Sequence, residues 1–230
     1  MPTPARETRR LLLFTKPARA GRVKTRLIGD LTPAEAAELH AAFLADLLAR
    51  LAGGEFGLRL AWALDSGDEV PEGPVPGVRQ RGEDLGERLF LALSEAGEEA
   101  ASVAALGSDH PTLPVEIVHR AFAALERGAD VVLGPAEDGG YYLIALRAGA
   151  VSRRLFEGIE WSTERVLPTT LDRCRDLGLA LEMLPPASDV DTPEDLARLA
   201  ARMAGDDLGC PRTRTLLRAW HRIPHLEETA

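Results

Sequence analysis

The stretch Ser102-Val-Ala-Ala-Leu-Gly-Ser-Asp-His-Pro-Thr-Leu-Pro114 indicates an α/β fold. Its apolar part, Val103 to Leu106, is typical of a short buried strand, and the prolines that follow predict a helix that begins near Pro114. The stretch therefore predicts a carboxylate, Asp109, at the carboxyl end of a strand. Ligands bind at that edge of an α/β sheet. We expect Asp109 to bind a divalent metal ion that faces a nucleotide phosphate.

The composition is that of a globular protein with a sizeable core. The 230 residues are enough for one large α/β domain, and 45% hydrophobic with 27% charged residues is an ordinary balance. The net charge of −9 argues against a general nucleic-acid surface. A membrane span is not expected, because no apolar run reaches about 18 residues. The few cysteines, Cys174 and Cys210, and the absence of a secretory signal pattern predict a cytoplasmic protein.

A basic segment follows the first predicted strand, Leu11 to Phe14. Residues 15–27 carry five basic residues and no acidic one: Lys16, Arg19, Arg22, Lys24 and Arg26. Such cations hold phosphate oxygens by charge-assisted hydrogen bonds, and Gly21 lets backbone N–H groups come close to a ligand. We interpret the segment as a phosphate-binding loop, with a solvated basic loop as the alternative. The Gly-x-x-x-x-Gly-Lys spacing of a P-loop is absent.

A predicted strand-to-helix junction at residues 78–89 carries Gln80, Gly82 and Arg88. Such a junction offers amide and N–H donors to a base or a phosphate, and an ordinary turn is the alternative.

Two glycines, Gly139 and Gly140, follow Asp138 and open a predicted strand. They leave room for a ligand, although a hairpin turn is the alternative. Because strand side chains alternate, we expect one of Tyr141 and Tyr142 to face the core and the other a cleft.

The segment Trp161-Ser-Thr163 precedes a predicted helix that runs to about Asp176. Ser162 or Thr163 can cap this helix. Trp161 fits either the wall of an acceptor pocket or a hydrophobic staple.

The segment Ser188-Asp-Val-Asp-Thr-Pro-Glu-Asp-Leu196 predicts a helix that starts at Pro193 and is capped by Thr192. Asp189 and Asp191 precede the cap, and burial of both carboxylates without partners would cost a large free energy of desolvation. At least one of them should therefore meet a cation or solvent.

Taken in order, these motifs resemble one family: the small GT-A-fold transferases found beside radical-SAM and selenium-domain proteins, which are described as glycosyltransferases. The motifs are the basic Lys-Thr-Arg-Leu loop, Gly-Ser-Asp-x-Pro-x-Leu-Pro, Asp-Gly-Gly-Tyr-Tyr, Trp-Ser-Thr and Asp-Val-Asp-Thr-Pro-Glu-Asp-Leu. The resemblance covers about Arg10 to Arg202. It implies a three-layer α/β/α, Rossmann-like fold with a mostly parallel sheet, as in molybdopterin-guanine and phospholactate nucleotidylyltransferases. We expect a domain at residues 1–205 and a helical tail at 206–230.

The resemblance also implies roles for individual residues. Asp109 and Asp191 would hold Mg²⁺ or Mn²⁺, and Lys24, Arg26 and Asp138 join Asp109 as candidate catalytic residues. The candidate nucleotide-binding residues are Phe14, Lys16, Gly21, Lys24, Arg26, Gln80, Gly82, Arg88 and Ser108. The candidate acceptor-binding residues are Gly139, Gly140, Tyr141, Trp161, Ser162 and Thr163. His110 receives no catalytic role.

Three functions fit these expectations. The first is glycosyl transfer from a nucleotide sugar to a small-molecule acceptor, which the family description favours and which we prefer narrowly. The second is nucleotidyl transfer from a triphosphate to a phosphorylated acceptor, which the basic loop favours. The third is a nucleotide-binding module without turnover. The sequence does not decide whether the protein forms a homodimer.

Overall fold

The structure, a computed structural model, describes residues 8–223. Within these residues, strands and helices alternate along most of the chain. The strands are β1 (Arg9–Thr15), β2 (Gly57–Trp62), β3 (Gly77–Arg79), β4 (Ser102–Gly107), β5 (Val131–Pro135), β6 (Tyr141–Arg147) and β7 (Leu181–Met183). The helices are α1 (Pro33–Leu51), α2 (Leu85–Gly97), α3 (Val115–Glu126), α4 (Val166–Asp176), α5 (Pro193–Gly205) and α6 (Pro211–Ala219).

The seven strands form one sheet in the order β3-β2-β1-β4-β6-β5-β7. All neighbours are parallel except β6, which runs antiparallel to both β4 and β5. The predicted α/β class with a mostly parallel sheet is therefore confirmed. β4 ends at Gly107, so Ser108 and Asp109 directly follow the carboxyl end of a strand, as the sequence predicts.

The contacts divide the described chain into two compact units. The sheet unit consists of residues 8–16, Gly53–Gly107 and Pro114–Ala187, and the helical unit of Pro17–Ala52, Ser108–Leu113 and 188–223. Helix α6, from the predicted tail, packs against α1 in the helical unit. The expected division into residues 1–205 and 206–230 stays a prediction.

The sheet unit has helices on both faces of its sheet. Leu93 of α2 and Cys174 of α4 share one core cluster with Val131 and Leu133 of β5. Val132, which alternates with them, is also fully buried, and α3 contacts β5 and β6. Apolar residues are thus buried on both faces, which explains why β4 to β6 are nearly continuous apolar runs.

The helical unit has a separate core between α1, α5 and α6. Phe43 of α1, Met203 of α5 and Leu217 of α6 are fully buried within one cluster. Helix α1 begins with a complete capping box in which Thr32 and Glu35 bond each other's backbone N–H.

The prediction that Ser162 or Thr163 caps α4 is wrong. The helix begins at Val166, and its N-cap, Arg165, makes no side-chain capping bond. Ser162 has a left-handed backbone (φ 64°) rather than the extended backbone typical of an N-cap residue. The Thr163 hydroxyl donates to the Glu160 carbonyl at 2.7 Å and accepts from the N–H of Arg165, the residue before the helix, at 3.3 Å.

Candidate active site

Three charged side chains from distant parts of the sequence meet within the helical unit. Lys24 lies in the basic loop, Asp109 follows β4, and Asp191 precedes α5. The Lys24 Nζ atom lies 2.5 Å from Asp109 Oδ1 and 2.9 Å from Asp191 Oδ1. The sequence predicts that these two carboxylates converge on one cation opposite basic residues; in this structure the cation between them is the Lys24 ammonium. We call these three side chains the Lys24 cluster.

Lys24 is held on all sides. Its side chain is 2% exposed, its Nζ donates to the Val190 carbonyl at 2.8 Å, and it lies 5.4 Å from the centre of the Phe43 ring. With Asp109 and Asp191 this makes three acceptors for three ammonium N–H groups. Contact between Lys24 and a phosphate, as predicted, therefore requires that one of these bonds be exchanged.

The close pairing shifts the pKa values of the cluster. Burial by itself lowers the pKa of Lys24, but Asp109 and Asp191 outweigh it, so the pKa lies above its ordinary value. Burial likewise raises the pKa of Asp109, but the Lys24 ammonium outweighs it and the pKa lies below its ordinary value. Both groups are therefore charged at neutral pH.

The backbone around Asp191 is fixed by the first turn of α5. Asp195 Oδ2 accepts hydrogen bonds from the backbone N–H groups of Asp191 (3.1 Å) and Thr192 (2.8 Å) and from the Thr192 hydroxyl (2.8 Å). Thr192 caps the helix in return. The sequence predicts the cap, but it does not predict that Asp195 also holds the backbone of Asp191.

Two buried histidines lie beside the cluster. After Lys24, an electrostatic interaction with His40, which is 4% exposed, also helps lower the pKa of Asp109. The His110 ring Nδ1 atom lies 3.1 Å from the Ser188 carbonyl, and burial lowers the pKa of His110. His110 thus links the segment after β4 to the segment before α5. The sequence does not single out His40 as a neighbour of Asp109, because its spacing in α1 is that of an ordinary core residue. Only the folded structure shows that the two residues are close.

The other basic residues of the loop are exposed. Arg26 has a 63% exposed side chain, and its Nη1 lies 3.9 Å from Asp191 Oδ2. Gly21 and Arg22 are exposed as well, whereas Ser108 is buried at 3%. In the sheet unit, Lys16 is exposed and Phe14 packs against the core. Their predicted contacts with a nucleotide stay predictions.

The predicted base-binding junction is a tight strand-to-helix turn of the sheet unit. The Gln80 amide nitrogen donates to the Ala61 carbonyl at 2.8 Å, and Arg88 Nε donates to the Gly82 carbonyl at 3.0 Å. Gly82 has a φ of 129°, and a side chain there would meet the Arg88 backbone nitrogen at 2.8 Å. The geometry of the turn is therefore sufficient to explain the glycine at position 82. The side-chain amide oxygen of Gln80 is the group that could accept a hydrogen bond from a base.

The glycines after Asp138 serve a hairpin turn between β5 and β6. Asp138 Oδ1 accepts from the Gly140 N–H at 2.9 Å. A side chain at Gly139, which has a φ of 88°, would lie 2.5 Å from the Glu164 Cα atom. The space at Gly139 is thus filled by the chain's own backbone, contrary to the expectation of room for a ligand there.

The two tyrosines lie on opposite faces of the sheet, as strand alternation predicts, and the cleft expected beside one of them stays a prediction. Tyr142 is 4% exposed, and its hydroxyl donates to the Pro185 carbonyl at 3.0 Å. Tyr141 packs on the opposite face against Trp161, with ring centres 6.3 Å apart, and burial raises the pKa of its hydroxyl. Tyr142 is buried in the core, whereas Tyr141 is half-buried and packs against a core cluster. The acceptor-binding roles of Tyr141, Trp161, Ser162 and Thr163 stay predictions.

The Lys24 cluster has the donor set for a hard cation. Mg²⁺ binds one or two carboxylates together with phosphate oxygens. Asp109 and Asp191 supply two carboxylates whose side chains are 41% and 31% exposed. No group of three or more His, Cys, Asp and Glu side chains suited to a metal occurs in residues 8–223. Two carboxylates leave the rest of the shell of such a cation to oxygens of the ligand.

Comparison with known proteins identifies the relatives of the chain. The family DUF2064, "Uncharacterized protein conserved in bacteria", matches residues 69–163. The 3-phospho-D-glycerate guanylyltransferase of Phenylobacterium zucineum (strain HLK1) is 33% identical over 192 residues, which cover 79% of this chain and 86% of that protein. The chain belongs to the family of this guanylyltransferase.

Two solved structures resemble this chain in fold. A provisionally named nucleotide-diphospho-sugar transferase from Desulfovibrio desulfuricans G20 is 33% identical, with a TM-score of 0.86 over 92% of this chain and 94% of that one. A cytidylyltransferase from Leptospira borgpetersenii serovar Hardjo-bovis (strain JB197) is 13% identical, with a TM-score of 0.55 over 97% and 99% of the two chains. The second likeness concerns the fold alone.

Membership of the guanylyltransferase family makes the protein a transferase. The relatives support nucleotidyl transfer, the alternative from the sequence, better than the glycosyl transfer that the resemblance favours. The association with radical-SAM and selenium-domain proteins stays a prediction. Among the helices of residues 8–223, none has the length and apolar character that crossing a membrane requires.

Proposed function

We propose that the protein is a metal-dependent nucleotidylyltransferase that transfers a nucleoside monophosphate from a triphosphate to a phosphorylated small molecule. The observation that carries the proposal is the convergence of the Asp109 and Asp191 carboxylates on the Lys24 ammonium, in a chain 33% identical to a guanylyltransferase. The substrates in that relative's name make GTP and 3-phospho-D-glycerate the first donor and acceptor to test.

The proposed reaction joins two phosphates. A phosphate oxygen of the acceptor attacks the α-phosphorus of the triphosphate, and the bond between the α-phosphorus and the oxygen that bridges to the β-phosphorus breaks. Pyrophosphate leaves, and a diphosphate linkage remains between nucleoside and acceptor. Every participant is an anion, so positive charge at the site stabilises the transition state.

The residues of the helical unit divide this work. Asp109 and Asp191 would hold Mg²⁺ or Mn²⁺, which supplies charge neutralisation at phosphate oxygens. Arg26, exposed beside Asp191, is placed to bind a phosphate oxygen. Asp195 keeps the backbone of Asp191 in position.

Residues of the sheet unit complete the proposal. Gln80 offers its side-chain amide oxygen to an N–H group of a base, with Phe14 and Arg88 as further proposed nucleotide contacts. In the helical unit, Ser108 is a further proposed nucleotide contact. Asp138 and the segment that contains Trp161 are the proposed acceptor side. A cytoplasmic location is part of the proposal.

Pyrophosphate release tests the proposed reaction. The protein is incubated with Mg²⁺, 3-phospho-D-glycerate and, separately, GTP, CTP or ATP, and with UDP-glucose in a parallel sample. We expect acceptor-dependent pyrophosphate release from at least one triphosphate, with GTP the first candidate. Release of UDP from UDP-glucose without pyrophosphate from any triphosphate would establish glycosyl transfer instead. Nucleotide binding without turnover in any sample would point to a binding module.

A matched pair of variants ties the activity to the cluster. Asp109→Asn removes one of the two converging carboxylates without a change in size. Asp207→Asn makes the same change at an exposed site (89% exposed side chain) in the same unit. We expect Asp109→Asn alone to abolish metal-dependent nucleotide binding and turnover. Equal nucleotide affinity in the two variants would reject the assignment of Asp109.

A further inference from the structure

Lys24 is an unusual residue in this chain. Of the 27 basic residues, 25 are arginines and two are lysines, Lys16 and Lys24. The chain thus places an ammonium, a compact point charge with three donors, at the buried position between two carboxylates. A planar guanidinium directs five donors in a fork and does not match three acceptors around one atom.

The ammonium lies between the two carboxylates that would hold a metal ion. One oxygen each from Asp109 and Asp191 points at Lys24 Nζ, at 2.5 Å and 2.9 Å, and the Val190 carbonyl completes the set at 2.8 Å. All three are oxygen ligands, as a hard cation requires. A divalent ion held by the same two carboxylates would be close to the ammonium, and two cations close together repel each other strongly.

We propose that Lys24 is a built-in cation of the metal site: its ammonium holds the Asp109–Asp191 pair together until a divalent ion binds, and the ion binds by displacing it. This inference rests on the proposed function, because that function requires the ion. A displaced ammonium regains the free donors that it lacks in this structure. It is then able to bind a phosphate oxygen. The sequence predicts such a phosphate contact, although all three ammonium donors of Lys24 are bonded within the protein in this structure.

The backbone at Lys24 is consistent with a specially held side chain. Lys24 has a left-handed backbone (φ 47°, ψ 40°), an uncommon conformation for a residue other than glycine. Such strain persists only where surrounding contacts compensate for it. The three oxygen acceptors and the Phe43 ring are those contacts, so their loss on metal binding would release the side chain rather than leave it unchanged.

Mn²⁺ binding without nucleotide tests the competition. The dissociation constant is measured by titration calorimetry for the wild type, for Lys24→Met and for Arg22→Met, an exposed residue of the same loop whose loss changes the net charge equally. Removal of the competing ammonium should tighten Mn²⁺ binding by about tenfold or more in Lys24→Met. Arg22→Met should differ little from the wild type. Equal or weaker Mn²⁺ binding by Lys24→Met, or no Mn²⁺ binding by any of the three proteins, overturns the proposal.

A second measurement uses the wild type and does not depend on the folding of a variant. The protein is treated with formaldehyde and a borohydride reagent, and methylation of its two lysines is followed by mass spectrometry. Buried Lys24 should react slowly without metal and faster with saturating Mn²⁺, while exposed Lys16 serves as the internal control. Unchanged or greater protection of Lys24 in Mn²⁺ overturns the proposal. Neither readout measures turnover, so a failure of nucleotidyl transfer would appear separately, as absent pyrophosphate release.

Discussion

At the scale of single residues, the protein depends on how one buried ammonium meets two carboxylates. Lys24 is 2% exposed, whereas Asp109 and Asp191 keep 41% and 31% of their side chains exposed. The cation is thus protected, and the anions remain accessible to a ligand. This asymmetry suits a site that has to exchange one cation for another.

The lowered pKa of Asp109 predicts a pH-dependent contribution to stability. Its folded-state pKa lies below the value of about 3.9 for an unfolded chain, so the contribution is present above that pH and is lost as the pH falls through the folded-state value. We expect the free energy of unfolding of the wild type to fall more steeply than that of Asp109→Asn as the pH drops below about 4. Urea unfolding at a series of pH values measures this.

The exposed variant Asp207→Asn is the control for the loss of one carboxylate in that series. If the curves of wild type and Asp109→Asn stay parallel through the acid range, the Asp109–Lys24 pair contributes no linked stability, and the interpretation of the lowered pKa is wrong.

At the scale of elements, helix starts in the helical unit also position the site. The first turn of α5 caps itself through Thr192 and Asp195, and the same Asp195 oxygen holds the N–H of Asp191. Asp195, which the sequence marks as part of a helix start, therefore also positions a residue of the site. That role is visible only when the turn before the helix is known.

Asp195→Ala should affect both stability and the site. It removes three hydrogen bonds to one carboxylate oxygen, so we expect a loss of about 1–2 kcal/mol of stability together with weaker metal-dependent nucleotide binding, because Asp191 loses its backbone anchor. Glu194→Ala, exposed in the same turn, is the matched control for charge near the helix start. Chemical unfolding and calorimetry measure the two effects. Unchanged nucleotide affinity in Asp195→Ala would show that Asp195 only caps the helix and does not position Asp191.

Helix α6 is capped from another helix. Its N-cap residue, Cys210, makes no side-chain capping bond. Instead Asp46 of α1, which is 2% exposed, accepts from the N–H groups of Arg212 (3.0 Å) and Thr213 (2.8 Å) and from the Thr213 hydroxyl (2.7 Å). A carboxylate at a helix start also complements the helix dipole.

Asp46→Ala should therefore destabilise the helical unit. We expect a loss of about 2–4 kcal/mol, because two backbone donors and a hydroxyl lose their charged acceptor. Glu38→Ala on the exposed side of α1 is the control and should change stability by less than about 0.5 kcal/mol. Chemical unfolding gives the energies, and hydrogen exchange at Arg212 and Thr213 locates the effect. Undiminished protection of those two amides in Asp46→Ala would contradict a capping role.

At the scale of the whole molecule, the chain leaves the sheet unit three times to build the helical unit. Residues 17–52 follow β1, residues 108–113 follow β4, and residues 188–223 follow β7. Each excursion contributes one member of the Lys24 cluster. The proposed metal ligands are thus far apart in sequence and close in the folded unit, so ligand binding should be coupled to folding.

Nucleotide with metal should raise the thermal stability of the protein. A ligand present at 100 times its dissociation constant stabilises the folded state by about 2.7 kcal/mol. We expect GTP with Mn²⁺ to raise the melting temperature and EDTA to remove most of that rise, because the proposed ion joins the phosphates to Asp109 and Asp191. Differential scanning fluorimetry with GTP, CTP, ATP and UDP-glucose, each with Mn²⁺ or EDTA, measures it. An equal rise in EDTA would argue against a metal-dependent site.

Local sequence signals determined much of this protein. The apolar runs of β1 and β4, the capping boxes at Thr32 and Thr192, and the placement of Asp109 after a strand all follow from short-range patterns. Such patterns suffice because strand burial and helix capping depend on residues within a few positions of each other.

Tertiary structure alone decided how those parts combine. The burial of Tyr142 and the packing of half-buried Tyr141 against Trp161 depend on helices that cover both sides of the sheet. The start of α4 at Val166 depends on the turn around Ser162 and Thr163. Above all, the saturation of Lys24 by oxygens from Asp109, Val190 and Asp191 joins residues up to 167 positions apart. The sequence shows that these charges exist. Only the packed chain brings them within hydrogen-bond distance, because their separation is set by the core of the helical unit and not by their spacing along the chain.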